Sequence, residues 1–139
     1  MMTMYMSPYR RRAYQMMNGD RVARDVEMTR NEVHIPLDIK DEKDAFVIYA
    51  IVPGLEPDDV NIEIINNTVN INGEFVRAEN DEDVYLRTER PTGTFRRFLR
   101  FPVKLESAKA EAKLENGILA LRIPKVAEEL PKTIKVKAA

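Results

Sequence analysis

The stretch that decides the fold is AKLENGILALRIPK, residues 112–125. Apolar residues recur on both sides of Asn116 and Gly117, two residue types that accept the positive φ angles of a tight turn between antiparallel strands. Pro124 lacks a backbone N–H and predicts the end of ladder pairing. The stretch therefore predicts a β-hairpin that closes a β-domain.

The rest of the chain predicts further short strands. Period-two alternation of apolar and polar residues begins at Val33, and Pro36 places that first strand at a sheet edge. Residues 46–52 are apolar on both faces, which indicates a strand covered on two sides. The pattern predicts about eight strands, as in an antiparallel β-sandwich, over residues 33–39, 46–52, 60–64, 69–71, 84–86, 95–101, 108–114 and 118–123.

Composition limits the class of protein. The 139 residues suffice for one domain with tails. The 22 Lys and Arg residues nearly balance 23 Asp and Glu residues, so the net charge of −1 favours neither nucleic acids nor anionic membranes as partners. Cysteine is absent, and there is no signal peptide and no apolar run of roughly 18 residues, so we expect a cytoplasmic protein.

The N-terminal segment differs from the rest. All seven methionines lie within the first 28 residues, together with three of the five tyrosines. Methionine side chains are flexible and adapt to many apolar shapes. We therefore divide the chain into a flexible Met/Tyr-rich arm over residues 1–32, a β-domain over 33–125 and a C-terminal tail over 126–139.

Catalytic chemistry has no visible location in this sequence. His34 is the single histidine, and serine occurs at Ser7 and Ser107 alone. A Ser-His triad would join a flexible arm or a strand start to an edge histidine. No metal-ligand cluster and no glycine-rich phosphate loop is present. We expect no enzymatic activity and no cofactor.

Two features of the sequence predict contacts that the surrounding segment cannot supply: an apolar pair in the tail, and an arginine on an apolar strand face. Ile134 and Val136 would point the same way in an extended tail that is too short to bury them. Arg97 shares a strand face with Phe95 and Leu99, where a charge is costly without a partner. The alternative is that Arg97 extends to solvent from an edge strand.

Four motifs, in this order, resemble the small heat-shock protein family, which is built on the alpha-crystallin domain. They are Pro53-Gly54, Glu89-Arg90 with residues 93–102, the turn at residues 116–119 with Pro124-Lys125, and the tail at residues 134–136. The tail reads Ile-Lys-Val where the family usually has Ile-x-Ile. The resemblance implies an immunoglobulin-like sandwich that dimerises, assembles into larger homo-oligomers and holds unfolding proteins without ATP.

The resemblance also implies roles for particular residues. The segment 84–88 would pair with the first strand of a neighbouring subunit, and Arg97 would meet a carboxylate across that dimer. The implied dimer interface comprises Arg97, Val84, Tyr85, Leu86, Val33, Ile35 and Leu37. The tail anchor, Ile134 and Val136, would dock in a groove of another dimer lined by Val60, Ile62, Ile64, Ala112 and Leu114.

The expected function is that of an ATP-independent holdase whose clients bind the arm and exposed grooves. The implied client-binding residues are Met1, Met2, Met4, Tyr5, Met6, Tyr9, Tyr14, Met16 and Met17. The alternative is a co-chaperone-like adaptor of the same sandwich type, in which the arm binds one defined partner. The arm composition favours promiscuous binding, because flexible thioethers repack around many apolar shapes.

Overall fold

A computed structural model describes residues 32–78, 80 and 82–138, and these residues form two antiparallel sheets. One sheet has the order β1-β2-β7-β6, and the other has the order β3-β4-β5. The strands are β1 Leu37–Asp41, β2 Ala45–Ile51, β3 Val60–Ile65, β4 Thr68–Phe75, β5 Gly93–Arg100, β6 Glu111–Glu115 and β7 Ile118–Pro124. The predicted all-β, immunoglobulin-like sandwich is confirmed.

The turns follow from local sequence. Asn116 and Gly117 have φ angles of 52° and 77°, and Glu115 pairs with Ile118 directly across them. Both angles are positive, as a type I′ turn requires. The predicted hairpin is confirmed.

The core lies between the two sheets and is built around phenylalanines. Phe46 and Phe101 have ring centroids 4.6 Å apart, and Phe75 and Phe95 are 5.1 Å apart. A Cβ atom at Gly73 would lie 2.6 Å from the Phe95 ring. Only glycine allows the β4 backbone to approach that ring, so Gly73 is a packing requirement.

The chain enters the sandwich differently from the prediction. The first strand begins at Leu37 instead of Val33, because the preceding residues bond to both sheets. The Val33 N–H donates to the Thr94 carbonyl at the start of β5 (2.8 Å), and the Pro36 carbonyl accepts from the Ile51 N–H (3.2 Å). Pro36 itself has no N–H to place in a ladder. The edge position of β1 is as predicted.

Two other predicted strands differ. Residues 107–109 form one turn of 3₁₀ helix, in which the Lys109 N–H donates to the Glu106 carbonyl, so β6 starts at Glu111 rather than at residue 108. Residues 84–86 belong to no ladder in the described part of the chain. A strand requires a ladder with a neighbour, and none of the described segments forms one with residues 84–86. Among the described residues, no helix has the length and apolar character needed to span a membrane.

Candidate functional site

An apolar groove opens between the two sheets, along the edge strands β3 and β6. It has a volume of about 280 Å³ and is lined by Ile62, Ile64, Ser107, Ala110, Ala112 and Leu121. Residues of these strands alternate in direction, so one set from each strand faces inward. Because β3 and β6 end their sheets without pairing to each other, their inward residues stay partly uncovered.

The sequence predicted part of this groove. Ile62, Ile64 and Ala112 line it as expected. Val60 and Leu114 are not among the lining residues, although they pack partly buried against the core as Ile62 and Ile64 do. Ser107 and Ala110 were missed because the 3₁₀ turn replaces the start of the predicted strand.

Leu121 forms the floor of the groove and was also missed. It is 2% exposed and pairs with Ala112 in the register of β6 and β7. A two-residue turn at Asn116 and Gly117 dictates this register. Counting outward from the turn would therefore have found Leu121.

The outer face of β6 is charged beside the groove. Lys113 Nζ lies 2.7 Å from a Glu115 carboxylate oxygen, and both side chains are exposed. The hydrogen bond and charge of Glu115 raise the pKa of Lys113, and those of Lys113 lower the pKa of Glu115. Both shifts move away from neutrality, so this rim keeps its charges around neutral pH.

The tail leaves its apolar pair in solvent. Ile134 is 84% exposed and Val136 is 97% exposed. No strand or helix follows Glu129 in the described residues, which end at Ala138. Two large aliphatic side chains therefore lie outside the domain that carries the groove.

Arg97 lies on the inward side of β5, an edge strand. Phe95 and Leu99 on the same face are buried, and Arg97 is half-buried between them. Its Nη1 donates to the Ile35 carbonyl at 2.7 Å. Arg97 therefore shares the inward face of β5 with Phe95 and Leu99, as predicted, and its hydrogen-bond acceptor belongs to the same chain. The carboxylate of a neighbouring subunit stays a prediction.

The residues assigned to the dimer interface occupy different environments. Val84 and Leu86 are 89% and 102% exposed. Ile35 is buried in its own core, whereas Val33 and Leu37 pack partly buried against it. In the described residues, β1 pairs with β2 alone, so its outer edge offers backbone groups to a second chain. The assigned client-binding residues, Met1 to Met17, lie outside the described residues.

Comparisons with known proteins give one result. A family model described as the Hsp20/alpha crystallin family matches residues 38–137. The 17.8 kDa class I heat shock protein of Arabidopsis thaliana is 36% identical over 104 residues, which cover 73% of this chain and 66% of that protein. The chain spans just under two thirds of the length of this relative and of a 17.4 kDa class I heat shock protein of the same plant, and 73% of an 18.1 kDa class I relative.

Solved structures agree with the family model. Heat shock protein 16.0 from Schizosaccharomyces pombe matches with a TM-score of 0.65 and 29% identity, over 76% of this chain and 100% of that one. A small heat-shock protein from Xylella fastidiosa, described as having a distinct high order structure, matches with a TM-score of 0.62 and 30% identity, over 77% and 99%. The family-model match over residues 38–137 includes β3 and β6, the two walls of the groove.

Proposed function

The chain belongs to the Hsp20/alpha crystallin family, and from this premise we propose that it is an ATP-independent chaperone of the cytoplasm that binds unfolding proteins and prevents their aggregation. One observation supports this most directly. The domain has an open apolar groove, and the same chain exposes an apolar pair on its tail. A surface of this kind can be covered by an apolar segment of another chain.

We propose that the tail of one subunit occupies the groove of another. Ile134 and Val136 are two residues apart, so an extended tail points both toward the groove and Lys135 away from it. Lys132, Lys135 and Lys137 give the end of the tail positive charge. On the outward faces of the groove's two walls, Glu63, Glu111 and Glu115 outnumber Lys113, so the walls carry a net negative charge. The charges on the two partners are therefore complementary.

The strength of this contact suits a reversible assembly. Each buried aliphatic side chain contributes roughly 1.5–3 kcal/mol, before the cost of ordering the tail. One tail is a weak tether. Many tails in one particle act together through effective concentration, so the particle is stable while each groove opens in turn. An opened groove is then available to apolar client segments.

We further propose that the building unit is a strand-swapped dimer. The open edge of β1 and the unpaired segment 84–86 are both exposed in one chain, and each lacks a ladder partner within the described residues. Pairing them between two subunits would satisfy both sets of backbone groups. The Met- and Tyr-rich arm supplies a second, adaptable client surface.

The test is nucleotide-free protection of heated clients. Two unrelated aggregating proteins are heated with the chain at equimolar subunits, and light scattering is followed with and without ATP. We expect equal suppression of both clients in both conditions, with an inert protein of equal mass as the control. Protection that requires ATP contradicts the holdase. Binding of one client without protection of the other favours the adaptor.

A further inference from the structure

The loop between β4 and β5 is closed at its neck by one side chain. The β4–β5 ladder ends where Phe75 pairs with Gly93, and residues 76–92 form the connection. Just beyond the ladder, Arg77 Nη2 donates to the Arg90 carbonyl at 2.9 Å. This bond joins the residues that follow β4 to the residues that precede β5, and so connects the two ends of the loop.

The same guanidinium also holds the middle of the loop. Its carbon lies 5.5 Å from the centroid of the Tyr85 ring, within the range of a cation–π contact. The Arg77 Nε is buried and has no acceptor among the described residues. One nitrogen of this guanidinium is therefore withdrawn from solvent beside the ring.

Tyr85, which contacts Arg77, differs in exposure from the residues on either side of it. Tyr85 is 48% exposed, whereas Val84 and Leu86 on either side are 89% and 102% exposed. Tyr85 therefore lies against Arg77, while both of its aliphatic neighbours lie in solvent.

We propose that Arg77 and Tyr85 form a clamp that shapes segment 84–86 before dimerisation, so that Val84 and Leu86 are the side chains presented to β1 of a second copy of this chain. This inference rests on the proposed strand-swapped dimer. Tyr85 is then a positioning residue held by its own subunit, and not a direct contact to the partner. The clamp lowers the ordering cost that the loop would otherwise meet on pairing.

The test compares two arginines of the same loop in the full-length chain. Arg77→Ala removes the clamp, and Arg90→Ala is the matched control because its side chain is exposed, it lies outside segment 84–88, and it keeps the backbone carbonyl that accepts the Arg77 bond. Light and heavy-isotope preparations of each variant are mixed, and native mass spectrometry follows the formation of mixed dimers. We expect Arg77→Ala to exchange about tenfold faster than the unsubstituted chain, and Arg90→Ala to match the unsubstituted chain.

Substitutions at Tyr85 test the other half of the clamp. Tyr85→Phe keeps the ring and should exchange at the unsubstituted rate, whereas Tyr85→Leu should resemble Arg77→Ala. The double variant should be no faster than either single one, since both break the same contact. The domain's denaturant midpoint should stay unchanged throughout. If Arg77→Ala lowers the denaturant midpoint, Arg77→Lys is used in its place. Lysine keeps a hydrogen-bond donor but lacks the planar guanidinium, so this variant should still exchange faster than the unsubstituted chain.

Three outcomes overturn the clamp while leaving the dimer in place. They are equal exchange of Arg77→Ala and Arg90→Ala, slower exchange of Arg77→Ala, and a Tyr85→Phe variant as fast as Tyr85→Leu. The last outcome would mean that the Tyr85 hydroxyl, rather than its ring, is needed, as for a direct contact to the partner subunit. An unsubstituted chain that yields no dimers contradicts the proposed assembly itself, and this inference with it.

Discussion

Lys125 shows how one residue ties distant parts of the sandwich together. It is 7% exposed, and it is the buried charged side chain of the described residues. Its Nζ donates to an Asp41 carboxylate oxygen at 2.9 Å and to the Glu42 carbonyl at 2.8 Å, and it lies 4.7 Å from the Phe46 ring centroid. The cation joins the end of β7 to the turn between β1 and β2, directly before the tail begins.

Lys125→Met should destabilise the domain. The substitution keeps much of the side-chain volume but leaves Asp41 and the Glu42 carbonyl without their donor. We expect a loss of roughly 3 kcal/mol in unfolding free energy, at the low end for a broken buried pair because the Asp41 side chain is 22% exposed. Denaturant unfolding measures it.

The matched control is Arg122→Met. It breaks an exposed ion pair on β7, three residues before Lys125. Arg122 lies 3.2 Å from Asp44, and the two side chains are 42% and 61% exposed. Exposed pairs contribute less than about 1 kcal/mol. Equal losses for the two variants would show that burial of Lys125 is not what matters.

Arg97→Ala should be more damaging than Arg96→Ala. Arg97 donates to the half-buried Ile35 carbonyl, whereas Arg96 points outward from β5. Leaving that carbonyl unsatisfied costs about 1–3 kcal/mol. Unfolding of the two variants, together with their particle size, separates the roles. Indistinguishable variants would contradict the importance of the inward face.

At the scale of elements, the two edge strands that pair with nothing further define the groove. β3 and β6 each end a sheet, and packed sheets generally lie about 10 Å apart face to face. The 3₁₀ turn at Ser107–Lys109 closes one end. The groove is therefore a property of the sandwich rather than of either strand.

Replacing both tail anchors should dissolve the large particle. Ile134→Ala with Val136→Ala removes the two exposed aliphatic side chains, and we expect dimers or small oligomers with an unchanged domain, since neither residue packs on its own core. Native mass spectrometry measures the size. Glu128→Ala with Glu129→Ala is the control, because both side chains are exposed tail residues outside the anchor, and it should retain the particle. A full-size particle from the anchor variant would assign assembly to another contact.

At the scale of the whole molecule, the described residues account for the fold but not for the methionines. All seven methionines lie within residues 1–28, ahead of the first strand at Leu37. The core is completed by aliphatic and phenylalanine side chains from the two sheets. The described core therefore contains no methionine side chain.

Deleting residues 1–32 should separate folding from protection. We expect a soluble, folded dimer, because every described core residue is retained. Its protection of heated clients should fall strongly at equal subunit concentration, measured by light scattering. Crosslinkers at Met6 or Met16 in the full chain provide a second measurement. Capture of sister subunits alone during heating would mean that the arm fills the particle instead of binding clients.

The sequence by itself determined the features that depend on neighbouring residues. The Asn116-Gly117 turn follows from φ angles that these two residue types accept, and the alternating strands follow from the period of the pleat. The exposed tail pair also required nothing beyond a two-residue spacing in a polar segment.

The tertiary structure decided what depends on contacts between distant segments. Lys125 meets Asp41 across 84 positions, and Arg97 meets Ile35 across 62. No local pattern encodes such distances, because they depend on how the sheets pack. The 3₁₀ turn in the groove and the loop at Tyr85 are set in the same way. Backbone preference acts over a few residues, whereas burial is decided by the whole sandwich.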